Sequence, residues 1–190
     1  MRFIKTLFIL LALIVAVPLI AALFVKSDYQ VTTNVVINRP VAEVYDYVKY
    51  LKNQDNFSVW AKMDPAMKRS YRGVDGTVGF VSAWKSDNPE VGQGEQEIVA
   101  METNKRIDYE LRFLTPFEAT EPAYMLFEPY EGNRTNLSWS FKGHLDYPTN
   151  LMFLFVDFET MIATDLLRGL SNLKMLLESE PTPQEQIQSP

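Results

Sequence analysis

Residues 150–178, NLMFLFVDFETMIATDLLRGLSNLKMLLE, carry the pattern that decides the fold. Leu151, Phe155, Phe158, Ile162, Leu166, Leu170, Leu173 and Leu177 recur every three or four positions, while Asp157, Glu159, Thr164, Arg168, Asn172, Lys174 and Glu178 fall largely between them. That spacing predicts one long amphipathic helix over Asn150–Glu178. Its apolar stripe needs a partner surface. Almost everything from Tyr29 to Gly143 reads as short alternating strands, so a curved antiparallel sheet closing over this helix satisfies both.

Working back from the helix, strands are predicted near 135–143, 119–128, 106–114, 94–102, 78–85 and 67–72. Turn-rich separators such as Glu131-Gly132-Asn133 and Gly73-Val74-Asp75-Gly76 divide them. Alternation is clearest where Ile107, Tyr109, Leu111 and Phe113 oppose Asp108, Glu110 and Arg112, and where Thr135, Leu137, Trp139 and Phe141 oppose Asn136, Ser138, Ser140 and Lys142. One face is therefore dry and the other wet. A first strand at 29–37 precedes Pro40, which opens a helix carrying Val41, Val44, Tyr45, Val48 and Leu51; a short helix or buried loop follows around Phe57–Trp60. The order is β-αα-β6-α, an α+β chain of about seven strands.

From Leu7 to Val25 there is no charged residue, a run of 19 that approaches the ~20 needed to cross a bilayer core. It is read as a single membrane anchor; a cleaved signal peptide is the rival, although signal-peptide apolar cores usually run only ~7–15 residues. Arg2 and Lys5 precede the run, which by the positive-inside rule leaves the amino terminus cytoplasmic and the domain extracytoplasmic, on the periplasmic side in a bacterium. The division is thus anchor 1–26, folded domain 27–179, and a Pro- and Gln-rich disordered tail at 180–190.

The 190 residues carry 18 basic and 24 acidic side chains, a net charge of −6, which argues against nucleic acid as a partner. Without cysteine there are no disulfides, thiolate nucleophiles or Cys-ligated metals, and His144 alone cannot build a multi-histidine site. No cofactor is implied.

The stretch Val35–Val48, with Asn38-Arg39-Pro40 leading into Val41-Ala42-Glu43-Val44-Tyr45, resembles the opening strand and helix of the START-like or Bet v 1-like (SRPBCC) superfamily. Trp60, the Gly73…Gly79…Trp84 run, Val91–Ile98 and Asp165–Lys174 are similar to its membrane-anchored polyketide cyclase/dehydrase-type branch. The resemblance spans about Tyr29–Glu178. Arg39 departs from the usual alanine. It implies a helix-grip fold with an apolar pocket between the sheet and the last helix, taking a lipid or other hydrophobic small molecule. The resemblance implies a carrier, a sensor or a member of unassigned role in most cases, and in a minority an enzyme of cyclisation, dehydration or hydrolysis.

Candidate cavity residues are Trp60, Trp84, Tyr109, Phe113, Tyr124, Trp139, Phe155, Phe158 and Ile162. Apolar walls with few polar groups suit a hydrophobic ligand, though each of these side chains is also ordinary core material. No residue is assigned a catalytic role. His144, Asp157, Glu159, Asp165, Glu95 and Glu97 are the scattered polar candidates; a solvated loop or helix face is the better explanation of the first four, and a wet sheet face explains Glu95 and Glu97 equally well. Three readings stand: a membrane-anchored binding domain for a hydrophobic molecule or lipid, a cyclase-, dehydratase- or hydrolase-type enzyme using the same cavity, or a protein-interaction module. Polar groups converging inside the grip separate the second from the first.

Overall fold

The computed structural model describes residues 2–179; the predicted tail at 180–190 lies outside them. Their elements are α1 (Arg2–Ala22), β1 (Asp28–Ile37), α2 (Val41–Val48), the short helices α3 (Gln54–Phe57) and α4 (Trp60–Met63), β2 (Lys68–Arg72), β3 (Val81–Lys85), β4 (Gln93–Glu102), β5 (Arg106–Thr115), β6 (Ala119–Tyr130), β7 (Arg134–His144) and α5 (Phe158–Ser179). The described strands form a seven-stranded antiparallel sheet in the order β1-β7-β6-β5-β4-β3-β2. This is the predicted α+β helix grip.

β1 closes back against β7 because its inward residues and those of β7 are apolar at the same parity. Tyr29, Val31, Thr33, Val35 and Ile37 face Gly143, Phe141, Trp139, Leu137 and Thr135 in register. A register shift between Ile98 and Ala100 leaves Val99 as an extra residue in β4, a bulge that bends the strand. α5 lies against β1 and runs beside it, burying Leu166, Gly169, Leu170, Leu173 and Leu177. Each leucine so buried contributes on the order of 2 kcal/mol of transfer free energy.

The last helix is shorter than its apolar pattern. Asp157 accepts the backbone N–H of Thr160 at 3.0 Å and its hydroxyl at 2.7 Å, a capping arrangement that starts α5 at Phe158. Thr149–Leu154 instead forms a separate 3-10 turn. The other end is latched by residues next to β1. Arg39 Nε donates to the Leu177 carbonyl at 3.1 Å, Asn38 N–H donates to Glu178 at 2.7 Å, and Lys174 Nζ donates to the Val36 carbonyl at 2.7 Å. Arg39 therefore satisfies a helix carboxy terminus, a task the usual alanine does not perform.

α1 begins and ends earlier than the 7–25 apolar run. Phe3–Ala22 has a mean hydropathy of 2.7, long and apolar enough to cross a membrane or to serve as a signal sequence. Ala22 is buried, and Asn150 Nδ2 donates to the carbonyls of Ala22 at 2.8 Å and Val25 at 3.0 Å. A buried side chain of the folded domain thus caps the carboxy-terminal end of α1, satisfying carbonyls that a helix end leaves without internal partners.

Candidate functional site

The inner face of the sheet divides into a filled middle and a more open end. In the middle, Trp139 projects from β7 toward α5. Its ring stands edge-on to Phe57 at 6.0 Å and to Trp60 at 6.3 Å, and a Cβ at Gly169 would lie 3.0 Å from it. Gly169 lets the indole reach the helix surface itself. Tyr109 is buried in the same core, its phenol pushed well above its ordinary pKa by burial. Thr33 is the register partner of Trp139, and its Oγ1 is buried without a hydrogen-bond partner. An unpaired buried hydroxyl is costly.

Toward the start of β1 the filling becomes aromatic and polar. Tyr29 sits opposite Gly143, where any side chain would collide with the phenol, and gathers Phe141 at 6.2 Å, Phe153 at 5.5 Å and Phe158 at 6.4 Å. Glu121 shares the inward parity of Ala123, Met125 and Phe127 on β6, and its Oε1 accepts the backbone N–H of His144 at 2.9 Å. Burial raises the Glu121 pKa against that hydrogen bond; burial, then the charges of Glu121 and Glu159, push Tyr29 up to about 12. Beside this group a shallow cleft of about 250 Å³ is lined by Lys26, Phe153, Phe155, Phe158 and Glu159. Lys26 pairs with Glu159 at 2.7 Å and lies 5.3 Å from the centre of the Phe153 ring. Another cleft, of about 220 Å³, lies at the β2–β3 edge among Met63, Asp64, Lys68 and Lys85.

The candidate cavity residues fall into five places. Tyr109 and Trp139 belong to the buried core and Trp60 and Ile162 pack against it, Trp60 directly on Trp139, and Phe158 joins the Tyr29 cluster. Trp84 and Phe113 meet at 6.0 Å across Gly94, with the Trp84 indole donating to the Val91 carbonyl at 3.2 Å. Tyr124 stands on the outer face beneath the Arg106 guanidinium at 3.8 Å, because its parity is opposite to that of Ala123 and Met125. Phe155, 85% exposed, lies outside the grip because α5 begins three residues later. The polar candidates do not converge inside. Glu95 and Glu97 pair with Arg112 on the outer face at 2.7 Å each, Asp157 caps α5, Asp165 lies 3.8 Å from Arg168, and the exposed His144 ring contacts Asp28 at 2.7 Å.

Sequence reasoning missed Tyr29, Thr33, Phe153 and Glu121. For Glu121 a signal was present: an acid at the inward parity of a strand otherwise apolar on that side.

Fold and site together define a helix-grip domain whose interior is aromatic and apolar with few polar groups. A profile of the family described as polyketide cyclase / dehydrase and lipid transport matches residues 28–178, and the chain belongs to that family. Similar solved structures include norcoclaurine synthase from Thalictrum flavum, in complex with dopamine and hydroxybenzaldehyde, at 10% identity and a TM-score of 0.60, covering 82% of this chain and 90% of that one. Protein MLL2253 from Mesorhizobium loti is similar at 14% identity and a TM-score of 0.58 (81% and 100% coverage). The Aha1 dimer from Colwellia psychrerythraea is similar at 14% identity and a TM-score of 0.55 (80% and 97%). At these identities the likeness is one of fold. A sequence comparison with curated proteins found no match.

Proposed function

We propose that this protein is a membrane-anchored binding domain that holds a hydrophobic small molecule or lipid between its sheet and α5, as a carrier, sensor or chaperone, with α1 as the uncleaved anchor and the domain extracytoplasmic. One observation carries the reading. The more open, aromatic end of the grip, where Tyr29, Phe141, Phe153 and Phe158 gather, is also the end that Asn150 ties to the apolar α1. Tethering there raises the effective concentration of membrane-derived ligands at the site. Family membership supports the ligand class, since its description includes lipid transport. Ligand entry would spread Phe153 and Phe158 and bring a polar group toward Thr33 Oγ1. The proposed ligand contacts are Trp60, Tyr109, Trp139, Phe158 and Ile162 on the inner surface, with Trp84 and Phe113 beyond them.

The test is native mass spectrometry of the gently solubilised full chain, with organic extraction of what co-purifies. A discrete added mass recovered as a lipid or isoprenoid supports the carrier reading. An apo mass unchanged after incubation with membrane extract overturns it.

A second, catalytic reading of the cyclase, dehydratase or hydrolase type draws on Glu121, a buried carboxyl of raised pKa beside the Tyr29 phenol, the composition of a proton-transfer pair. Glu121→Gln separates the two: a binding domain retains its ligand, whereas an enzyme loses turnover of whatever that ligand proves to be.

A further inference from the structure

We propose that the protein touches the bilayer at a second place: the Met152–Phe155 segment and the β5–β6 hairpin carrying Leu114 and Phe117 sit in the boundary between lipid headgroups and acyl chains, and the membrane covers the open end of the grip. The inference rests on the reading of α1 as an anchor and extends it from tethering to orientation.

Phe3–Ala22 comprises 20 residues. At about 1.5 Å per residue it is roughly 30 Å long, the thickness of the hydrocarbon core. Its last turn therefore emerges at the lipid boundary. Asn150 is bonded to that turn, and Ala22 is buried against the domain. The residues following Asn150 are consequently held at the boundary too. They are apolar and exposed: Leu154 at 59% and Phe155 at 85%.

The sheet register brings a second apolar loop to the same end. β1 starts where β7 finishes, Asp28 opposite His144, and β6 starts beside the end of β5, Ala119 opposite Phe113. β6 is the second strand from β1, about 10 Å away at ordinary strand spacing. The hairpin from β5 to β6 therefore projects from the anchor end, and it exposes Leu114 at 55% and Phe117 at 74%. At the opposite end the turns Thr103-Asn104-Lys105 and Glu131-Gly132-Asn133 are polar, and the β2–β3 turn exposes only the smaller Val74 and Val78 and no aromatic of its own.

Exposed apolar side chains beside an emerging membrane helix are the composition of an interfacial contact. Asp28, Glu118 and Asp146 lie on the same end, and the one lysine beside Phe153, Lys26, is paired with Glu159 there. The occupant is thus a neutral or zwitterionic lipid surface entered by apolar side chains, and insertion should be insensitive to ionic strength.

The chain has no cysteine, so single-cysteine variants can carry an environment-sensitive fluorophore. Leu13→Cys, Phe155→Cys, Phe117→Cys and Asn133→Cys would be labelled in the full chain and reconstituted in phosphatidylcholine vesicles containing lipids brominated either near the headgroup or near the chain ends. The expected result is deep quenching at Leu13, shallow quenching at Phe155 and Phe117 severalfold above that at Asn133, and no change with added salt. Quenching at Leu13 with Phe155 and Phe117 behaving like Asn133 would overturn the second contact while leaving the anchor intact. Labels at Phe155 and Phe117 that escape both bromolipids and aqueous iodide would mean that a second copy or another protein covers this end, which also overturns it. An unquenched Leu13 would remove the anchor reading and the proposal together.

Discussion

Where β1 finishes, the inward positions Ile37, Leu137 and Phe127 are at most 2% exposed and α2 closes over them, with the Tyr45 ring edge-on to Phe127 at 5.3 Å. Where β1 begins, the equivalent inward positions hold Tyr29, Gly143 and Glu121, and the covering residues Phe153 and Phe158 come from the chain around the start of α5. Both ends obey one alternation, yet the first is sealed by fully buried apolar packing and the second by partly exposed rings around a buried carboxyl. Stability should therefore be concentrated at the sealed end and ligand response at the other.

The largest expected contrast comes from truncating one side chain at each end. Leu173, fully buried at the sealed end, should cost about 3 kcal/mol on replacement by alanine, lowering the Tm of the detergent-solubilised chain by roughly 6–12 °C. Phe153→Ala should cost only about 1 kcal/mol, because Phe153 is partly exposed and loses less apolar contact, while weakening uptake of a hydrophobic fluorescent probe that Leu173→Ala leaves unchanged. Equal losses of Tm for the two variants would erase the distinction between the ends.

Gly143→Ala comes next. Its new Cβ would fall 2.3–2.4 Å from ring atoms of Tyr29, so the phenol must leave its place, at about 1–3 kcal/mol. Combining it with Tyr29→Ala should cost less than the sum of the single changes, since the clash is then gone. Simple additivity would show that Tyr29 does not occupy this position in solution.

A smaller, pH-dependent effect is expected at Glu121. Its folded-state pKa is raised, by burial above all, so the charged form is disfavoured in the fold. The neutral form's stability is fully present below the ordinary carboxylate pKa and is lost as pH rises through the raised value. Glu121→Gln keeps an oxygen to accept the His144 N–H and removes the charge. The variant should have the higher Tm at neutral pH, and the advantage should vanish in acid. A variant less stable at neutral pH would mean that the carboxylate is better solvated than its burial implies.

Much of this contrast was legible in the residue pattern, but unevenly. The sealed end follows from periodicity alone: Leu166, Leu170, Leu173 and Leu177 fall on one helix stripe, and the strand parities match them. Tyr124 and Phe127 lie three apart and cannot share a strand face, so the outward position of Tyr124 was readable from parity, against the pull of aromatic content. Phe155 fits the apolar spacing of α5 and falls outside it because Asp157 caps the helix; a three- or four-residue period carries no information about where a helix starts. The contact of Asn150 with Ala22, 128 positions apart, and the close fit of Tyr29 over Gly143 depend on three-dimensional register, which local pattern does not contain.

The smallest effect belongs to His144, the chain's one histidine, at the open end. Its Nδ1 lies 2.7 Å from Asp28 and its Nε2 3.3 Å from Asp146, and the hydrogen bond to Asp28, more than the nearby charges, raises its pKa. Because the folded-state value is raised, the imidazolium's stabilisation is fully present below the ordinary histidine pKa of about 6.5 and is lost as pH climbs through the raised one. All three groups are substantially exposed, so solvent screens the pair and the change in Tm should be slight. The titration itself is the sensitive readout. With a single imidazole, one C2 proton resonance follows it without ambiguity; it should titrate above the ordinary value and return toward it in Asp28→Asn. An unchanged midpoint in that variant would mean that Asp28 does not hold the ring. A shifted one would give the open end a positive charge that comes and goes with pH, beside α1 and the boundary proposed for it.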